Sequence, residues 1–90
     1  MNVSFDKGET RHVRIEVFSK KEEAFLIKNA SYELTRKGSV QIEDSGAVNI
    51  VDHVLDIVIS PKFAGYYGLK VYYTIADEKL IENVEVYIKE

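Results

Sequence analysis

The chain has 90 residues, of which 46% are hydrophobic and 30% charged, with no cysteine and a formal net charge of -3. This composition predicts one folded domain over residues 1–90, and it excludes disulfides, thiol catalysis and cysteine-bound zinc. The slightly acidic balance argues against a nucleic-acid partner, because phosphate binding requires clustered lysine and arginine.

The sequence also gives an expectation for the compartment. The N-terminal residues lack the apolar stretch that a signal peptide requires. No run approaches the about 18 apolar residues of a transmembrane helix. We therefore expect a cytoplasmic protein without a membrane partner.

Alternation of apolar and polar residues with a period of two dominates the sequence and predicts β-strands. The first run covers residues 12–18, and a charged bend follows at 19–23. The second run extends over 25–35 and closes in a turn at 37–38. The residues predicted to face the core in these runs are Val13, Ile15, Val17, Ala30, Tyr32 and Leu34.

Shorter runs follow in the middle of the chain. A strand at 40–43 is predicted to end in a turn at 44–46, Asp-Ser-Gly, because Asp initiates turns and Gly tolerates positive φ. Further strands are predicted at 48–51 and 55–59. The latter ends at Ser60–Pro61, since proline cannot donate to a strand ladder.

Two long runs, 66–76 and 79–89, predict a C-terminal hairpin. A turn centred on Asp77–Glu78, or a four-residue loop over 76–79 with the same register, pairs apolar with apolar and opposite with opposite charges. The pairs predicted by this register are Val71 with Val84, Leu69 with Val86, Tyr67 with Ile88, Ile75 with Leu80, Lys70 with Glu85 and Gly68 with Tyr87.

About seven short strands separated by turns predict an all-β fold. The segment 63–71, Phe-Ala-Gly-Tyr-Tyr-Gly-Leu-Lys-Val, resembles the penultimate strand of immunoglobulin-like domains. In those domains a tyrosine packs at the corner of the sandwich. The resemblance implies an immunoglobulin-like antiparallel sandwich with Tyr67 at that corner, although the chain lacks the cysteine pair and tryptophan of antibody-type domains.

Two other segments resemble the N-terminal domains of phage baseplate upper proteins. They are Lys-Gly-Glu-Thr at 7–10 and Ala-Ser-Tyr-Glu-Leu at 30–34, the latter leading to a turn and then Ser45–Gly46. Similarity to small phage or prophage virion proteins implies a structural, non-catalytic role in particle assembly. It also implies a virion location as the alternative to the cytoplasm.

No motif in the sequence carries catalytic or cofactor chemistry, so we expect neither an enzyme nor a cofactor or metal site. His12 and His53 lack metal-ligand spacing. Ser45 and Ser60 lie in predicted turns without a nucleophile elbow. The acidic segment 43–46 is too short for a calcium loop.

The six tyrosines are the most informative residues for function. Three of them, Tyr66, Tyr72 and Tyr87, are predicted on the outer face of the hairpin, with Val54, Val58 and Ile81 as apolar neighbours. Tyrosine is enriched in interfaces because it supplies contact area at low entropy cost. This face therefore predicts a structural or protein-interaction module that binds a protein partner or itself.

Three alternatives to that reading remain open. The face could be an ordinary half-apolar sheet surface. An exposed sheet edge, which invites strand addition, could be the working surface instead. The third alternative is a carbohydrate- or small-ligand-binding module, in which sugars stack on the exposed aromatic rings.

Overall fold

The computed structural model describes residues 2–18 and 25–90, so the predicted bend at 19–23 lies outside the described residues. The described residues form an all-β fold, as predicted. Within this part of the chain, no helical segment has the length and apolar character needed to cross a membrane. The strands are β1 (Asn2–Asp6), β2 (Arg11–Glu16), β3 (Ile27–Arg36), β4 (Ile42–Ala47), β5 (Asn49–Val51), β6 (Val54–Ile59), β7 (Gly65–Ile75) and β8 (Glu78–Lys89).

These eight strands form two sheets. The larger has the order β1-β8-β7-β3-β4, and the smaller has the order β2-β6-β5. Strand β1 runs parallel to β8, and the other pairs are antiparallel. The prediction of about seven antiparallel strands missed β1, because only Val3 and Phe5 on this short segment face inward.

The buried faces of both sheets form one hydrophobic cluster. Alternation places every second residue of a strand on the same face, which explains why the predicted inward residues are buried. The side chains with the least exposed surface are Leu34, Leu55, Ile57, Ile59, Tyr67, Leu69, Val71, Val84, Val86 and Ile88.

The predicted turn at Asp44–Ser45–Gly46 is wrong, since these residues lie within β4 and pair with β3. Gly46 faces Tyr32, and a Cβ at this position would lie 3.3 Å from the Tyr32 Cε1. The Tyr32 hydroxyl donates to Asp44 Oδ2 at 3.1 Å. The small and acidic residues therefore accommodate a tyrosine ring instead of reversing the chain, which crosses to the smaller sheet at Val48.

The predicted C-terminal hairpin is present, but its register differs by two residues. Leu69 faces Val84 instead of Val86, and Lys70 faces Asn83 instead of Glu85. A shift of two residues keeps every side chain on its predicted face. The other corrected pairs are Tyr67 with Val86, Val71 with Glu82, Ile75 with Glu78, Gly68 with Glu85, Tyr66 with Tyr87 and Tyr73 with Leu80.

The turn explains this difference in register. The chain reverses at Ala76–Asp77, between the paired residues Ile75 and Glu78. Ala76 has φ of 55°, a left-handed conformation that residues other than glycine rarely adopt. Two-residue hairpin turns favour glycine, asparagine or aspartate at such positions, so no local signal indicated a turn beginning at alanine.

Tyr67 occupies the corner where the chain passes from β6 to β7. Its side chain is fully buried, and its hydroxyl donates to the Phe63 carbonyl oxygen, four residues upstream, at 2.8 Å. Burial raises the pKa of Tyr67, and the nearby Glu43 carboxylate raises it further. This hydrogen bond ties the connection between the two sheets to the core.

Candidate functional site

The structure separates the six tyrosines into a buried and an outer group. Tyr32, Tyr67 and Tyr73 are buried, as predicted. The other three lie on the outer face of the larger sheet, where Tyr66 and Tyr87 are 63% and 40% exposed and Tyr72 is half-buried.

Tyr66 and Tyr87 face each other across β7 and β8. Their ring centroids are 4.6 Å apart, with an interplanar angle of 29°. This contact depends on the observed register, because the predicted register would have placed Tyr87 opposite Gly68. Stacking of cross-strand aromatic pairs stabilises a sheet and here fixes the orientation of both rings.

Tyr72 lies elsewhere on the same face. It pairs with Ile81, six residues along the hairpin from Tyr66, which is on the order of 20 Å at strand spacing. Its hydroxyl donates to Glu33 Oε1 at 2.6 Å, and this hydrogen bond raises the pKa of Tyr72. Tyr72 therefore has a contact within the larger sheet and does not join the Tyr66–Tyr87 pair.

The apolar neighbours proposed for this face are also divided. Ile81 lies beside Tyr72 on the larger sheet. Val54 and Val58 lie on β6 in the smaller sheet. The two valines therefore belong to a different surface from the tyrosines.

A shallow pocket of about 400 Å³ adjoins the stacked pair. The parallel pairing of β1 with β8 places Ser4 beside Tyr87 and Asn2 beside Glu85. The full lining is Asn2, Val3, Ser4, Tyr66, Glu85, Val86 and Tyr87. Sequence reasoning missed the wall formed by β1, for which the alternation of Val3 and Phe5 was the available signal.

We name Tyr66, Tyr87, Asn2 and Ser4 the tyrosine ledge. The two rings supply apolar area, and the amide and hydroxyl of β1 supply hydrogen-bonding groups. Beside the ledge, the Lys37 ammonium contacts Glu85 Oε2 at 2.7 Å, so this carboxylate is paired within the chain. The ledge is thus suited to binding by apolar contact and hydrogen bonding.

The two histidines have separate contacts. His12 Nδ1 lies 2.8 Å from Asp56 Oδ1 in the smaller sheet. His53 stacks on Phe25 at 4.0 Å, and its Nε2 lies 3.1 Å from the Phe25 carbonyl oxygen. Over residues 2–18 and 25–90, no group of three or more metal-ligating side chains is close enough to hold an ion.

Ser45 and Ser60, which lack a nucleophile elbow in the sequence, lie in different parts of the structure. Ser45 is an exposed residue of β4, and Ser60 follows β6. The Ser60 hydroxyl accepts a hydrogen bond from Thr10 at 3.2 Å.

No family model, curated protein or solved structure matches this chain. The tyrosine ledge is therefore interpreted from its own geometry.

Proposed function

We propose that this chain is a non-catalytic protein-interaction module, built as an immunoglobulin-like sandwich, that contacts a protein partner or a second copy through the tyrosine ledge. The observation that carries the proposal is the stacked and exposed pair of Tyr66 and Tyr87. Aromatic side chains held in one orientation lose little conformational entropy when they bind.

The strand order supports the immunoglobulin-like part of the proposal. The order β8-β7-β3 corresponds to strands G, F and C of that fold, with β4 added beside C, and β2-β6-β5 corresponds to B, E and D. The hydrogen bond from Tyr67 to the Phe63 carbonyl oxygen has the form of a tyrosine corner. The aliphatic Leu69 stands where antibody-type domains have their second cysteine, two residues after this tyrosine.

The remaining tyrosines support the choice of the ledge. Tyr32, Tyr67 and Tyr73 belong to the core, and Tyr72 bonds to Glu33. Contacts within the fold explain the presence of tyrosine at these four positions. Tyr66 and Tyr87, in contrast, stack on each other but remain partly exposed to solvent. Exposed aromatic area of this kind is typical of the centre of protein interfaces.

A structural role in a phage or prophage virion is an extension of this proposal. Its support is the sequence likeness of segments 7–10 and 30–34 to baseplate upper proteins. The first segment contains the turn between β1 and β2, and the second lies within β3.

A second candidate, binding of a carbohydrate or another small neutral ligand, is favoured by the pocket beside the ledge. Its volume of about 400 Å³ lies in the range of small-molecule sites. The amide of Asn2 and the hydroxyl of Ser4 line it beside the aromatic rings, and these groups can hydrogen-bond sugar hydroxyls.

The proposal is tested by light scattering over a series of protein concentrations. We expect the wild-type mass to rise with concentration, and the double variant Tyr66→Ala/Tyr87→Ala to remain monomeric. Tyr72→Ala is the matched control and should follow the wild type, because it lies away from the ledge.

Affinity capture tests whether the ledge binds a different protein instead of a second copy of the chain. A wild type that stays monomeric, and whose captured proteins are unchanged by the double variant, would contradict the interaction proposal. A glycan array probed with the wild type and the same variants tests carbohydrate binding. Binding that is lost in the double variant would support this function, and absence of binding by the wild type would contradict it.

A further inference from the structure

Strand β4 differs from the other strands in its exposure. All six of its residues are exposed, whereas every other strand of the described residues contains at least one buried or half-buried residue. It forms one edge of the larger sheet and pairs there with β3. Its outer edge therefore presents backbone N–H and C=O groups to solvent.

Few side-chain contacts within the chain hold β4. Tyr32 packs on Gly46 and donates to Asp44, and the Glu43 carboxylate lies near Tyr67. The rest of the strand depends on its ladder with β3. Fixing an extended backbone costs conformational entropy, and burial of apolar surface does not offset it here. A second strand along the free edge would supply the missing hydrogen bonds.

Strand β4 has only part of the usual protection of an edge: its register with β3 shifts between Leu34 and Thr35, which interrupts the ladder at Glu43. Natural edge strands commonly carry lysine or proline, which oppose further pairing. Strand β4 contains neither, and its only charged side chains are Glu43 and Asp44. Strand β2, by contrast, carries Arg11 and Arg14 at the edge of the smaller sheet.

A pocket of about 410 Å³ opens beneath this edge. Its lining combines two carboxylates and the Lys62 ammonium with hydroxyl and apolar groups: Leu34, Glu43, Asp44, Ser60, Pro61, Lys62 and Phe63. The Phe63 ring is 55% exposed, and the Arg36 guanidinium already lies 5.4 Å from its centroid. The two carboxylates outnumber the single ammonium in this lining, and carboxylates beside an aromatic ring form a suitable environment for a cationic side chain.

We propose that β4 accepts an extended segment of a partner protein as a sixth strand of the larger sheet, and that a lysine or arginine of this segment enters the pocket between Glu43, Asp44 and Phe63. Backbone hydrogen bonds along the edge would supply affinity, and the pocket would select the basic side chain. This surface lies at the opposite edge of the sheet from β1 and the tyrosine ledge.

The charge of β4 decides between this occupant and a second copy of the chain. Two β4 strands paired edge to edge would bring four carboxylates together, because each contributes Glu43 and Asp44. Like charges at close range oppose such pairing. A basic extended segment instead complements the edge.

The test is a titration of the isotope-labelled chain with an acetylated peptide of alternating valine and lysine, followed by amide chemical shifts. We expect saturable shifts confined to β4 and to the pocket around Phe63. A peptide of alternating valine and glutamate should leave these amides unchanged. Absence of saturable binding by the lysine peptide, or shifts centred elsewhere, would overturn the proposal.

Two controls separate strand addition from attraction of charge alone. A fully N-methylated lysine peptide keeps its charge but cannot donate backbone hydrogen bonds, so we expect its affinity to fall at least about tenfold. Glu43→Lys should weaken binding by a similar factor. Glu78→Lys changes the net charge equally at an exposed site away from the pocket, and it should bind as the wild type does.

Equal affinity of the N-methylated peptide, or equal losses in the two lysine variants, would contradict strand addition. Self-association abolished by Ser45→Pro, and strengthened by Glu43→Lys through relief of the carboxylate repulsion, would instead identify a second copy as the occupant. The alanine variants of Tyr66 and Tyr87 should bind the lysine peptide normally. Failure of the β4 proposal is therefore distinguishable from failure of the ledge proposal.

Discussion

The β7–β8 hairpin and strand β4 belong to the same sheet but are stabilised differently. In β7, Tyr67, Leu69 and Val71 have no exposed surface, so the hairpin is fixed by the core. In β4 every residue is exposed, and the strand is held by one ladder and by Tyr32. Pairing with β3 and the Tyr32 contacts place β4, whereas burial determines which face of the hairpin points inward.

The largest expected effect tests this difference directly. Leu69→Ala should lower the free energy of unfolding by about 3 kcal/mol, because it removes buried methyl groups and leaves a cavity. Ile42→Ala, in β4, should change it by less than about 0.5 kcal/mol, as exposed substitutions generally do. Urea unfolding followed by circular dichroism measures both, and similar losses in the two variants would show that β4 is part of the core.

Hydroxyl removal gives a second contrast. Tyr67→Phe should cost about 1 kcal/mol, since the Phe63 carbonyl oxygen loses its hydrogen bond near the core. Tyr32→Phe should cost less, because the Asp44 carboxylate that it releases is exposed to water. Urea unfolding measures the loss of free energy of unfolding in each variant. A larger loss in Tyr32→Phe than in Tyr67→Phe would show that the hydrogen bond to β4 is the stronger of the two.

Tyr67 also predicts that the free energy of unfolding depends on pH. Burial raises the pKa of Tyr67 above its usual value near 10. The folded state therefore holds this proton more tightly than the unfolded state. Its stabilising effect is complete below about pH 10 and is lost as the pH rises through the folded-state pKa. The free energy of unfolding, measured at increasing alkaline pH, should decline less steeply in Tyr67→Phe than in the wild type. Parallel curves for the two proteins would show that Tyr67 does not cause the alkaline loss of stability.

The hairpin turn gives the next effect. Ala76→Gly should raise the free energy of unfolding by about 0.5–1 kcal/mol, because relief of the left-handed strain exceeds the entropy cost of glycine. This gain is expected only if the turn lies at Ala76–Asp77. Destabilisation in thermal and urea unfolding would favour the register centred on Asp77–Glu78 instead.

Two glycines provide the smallest contrast. Gly68 in β7 has no atom within 4 Å of a built Cβ, so Gly68→Ala should stabilise by about 0.5 kcal/mol through lower unfolded-state entropy. Gly46→Ala in β4 should give no gain, since the Tyr32 ring would have to move. A gain from Gly46→Ala equal to that from Gly68→Ala would show that Tyr32 adjusts freely.

Part of the candidate site could be predicted from the sequence. Alternation identified Tyr66 and Tyr87 as outward residues and Tyr67 as inward, because a side chain's face follows from its parity along a strand. It could not bring Tyr66 and Tyr87 together, since registers two residues apart share the same faces. The wall formed by Asn2 and Ser4 requires a parallel pairing between residues at opposite ends of the chain.

The all-β class, the inward and outward faces of the main strands and the breaks at Lys37–Gly38 and Ser60–Pro61 could all be predicted from the sequence. These features depend on local periodicity and on the backbone limits of glycine and proline. The hairpin register, the addition of β1 and the extension of β4 through Asp44–Ser45–Gly46 became known from the three-dimensional structure alone. Those outcomes depend on distant partners, Tyr32 among them, whose contacts outweigh the local preference for a turn.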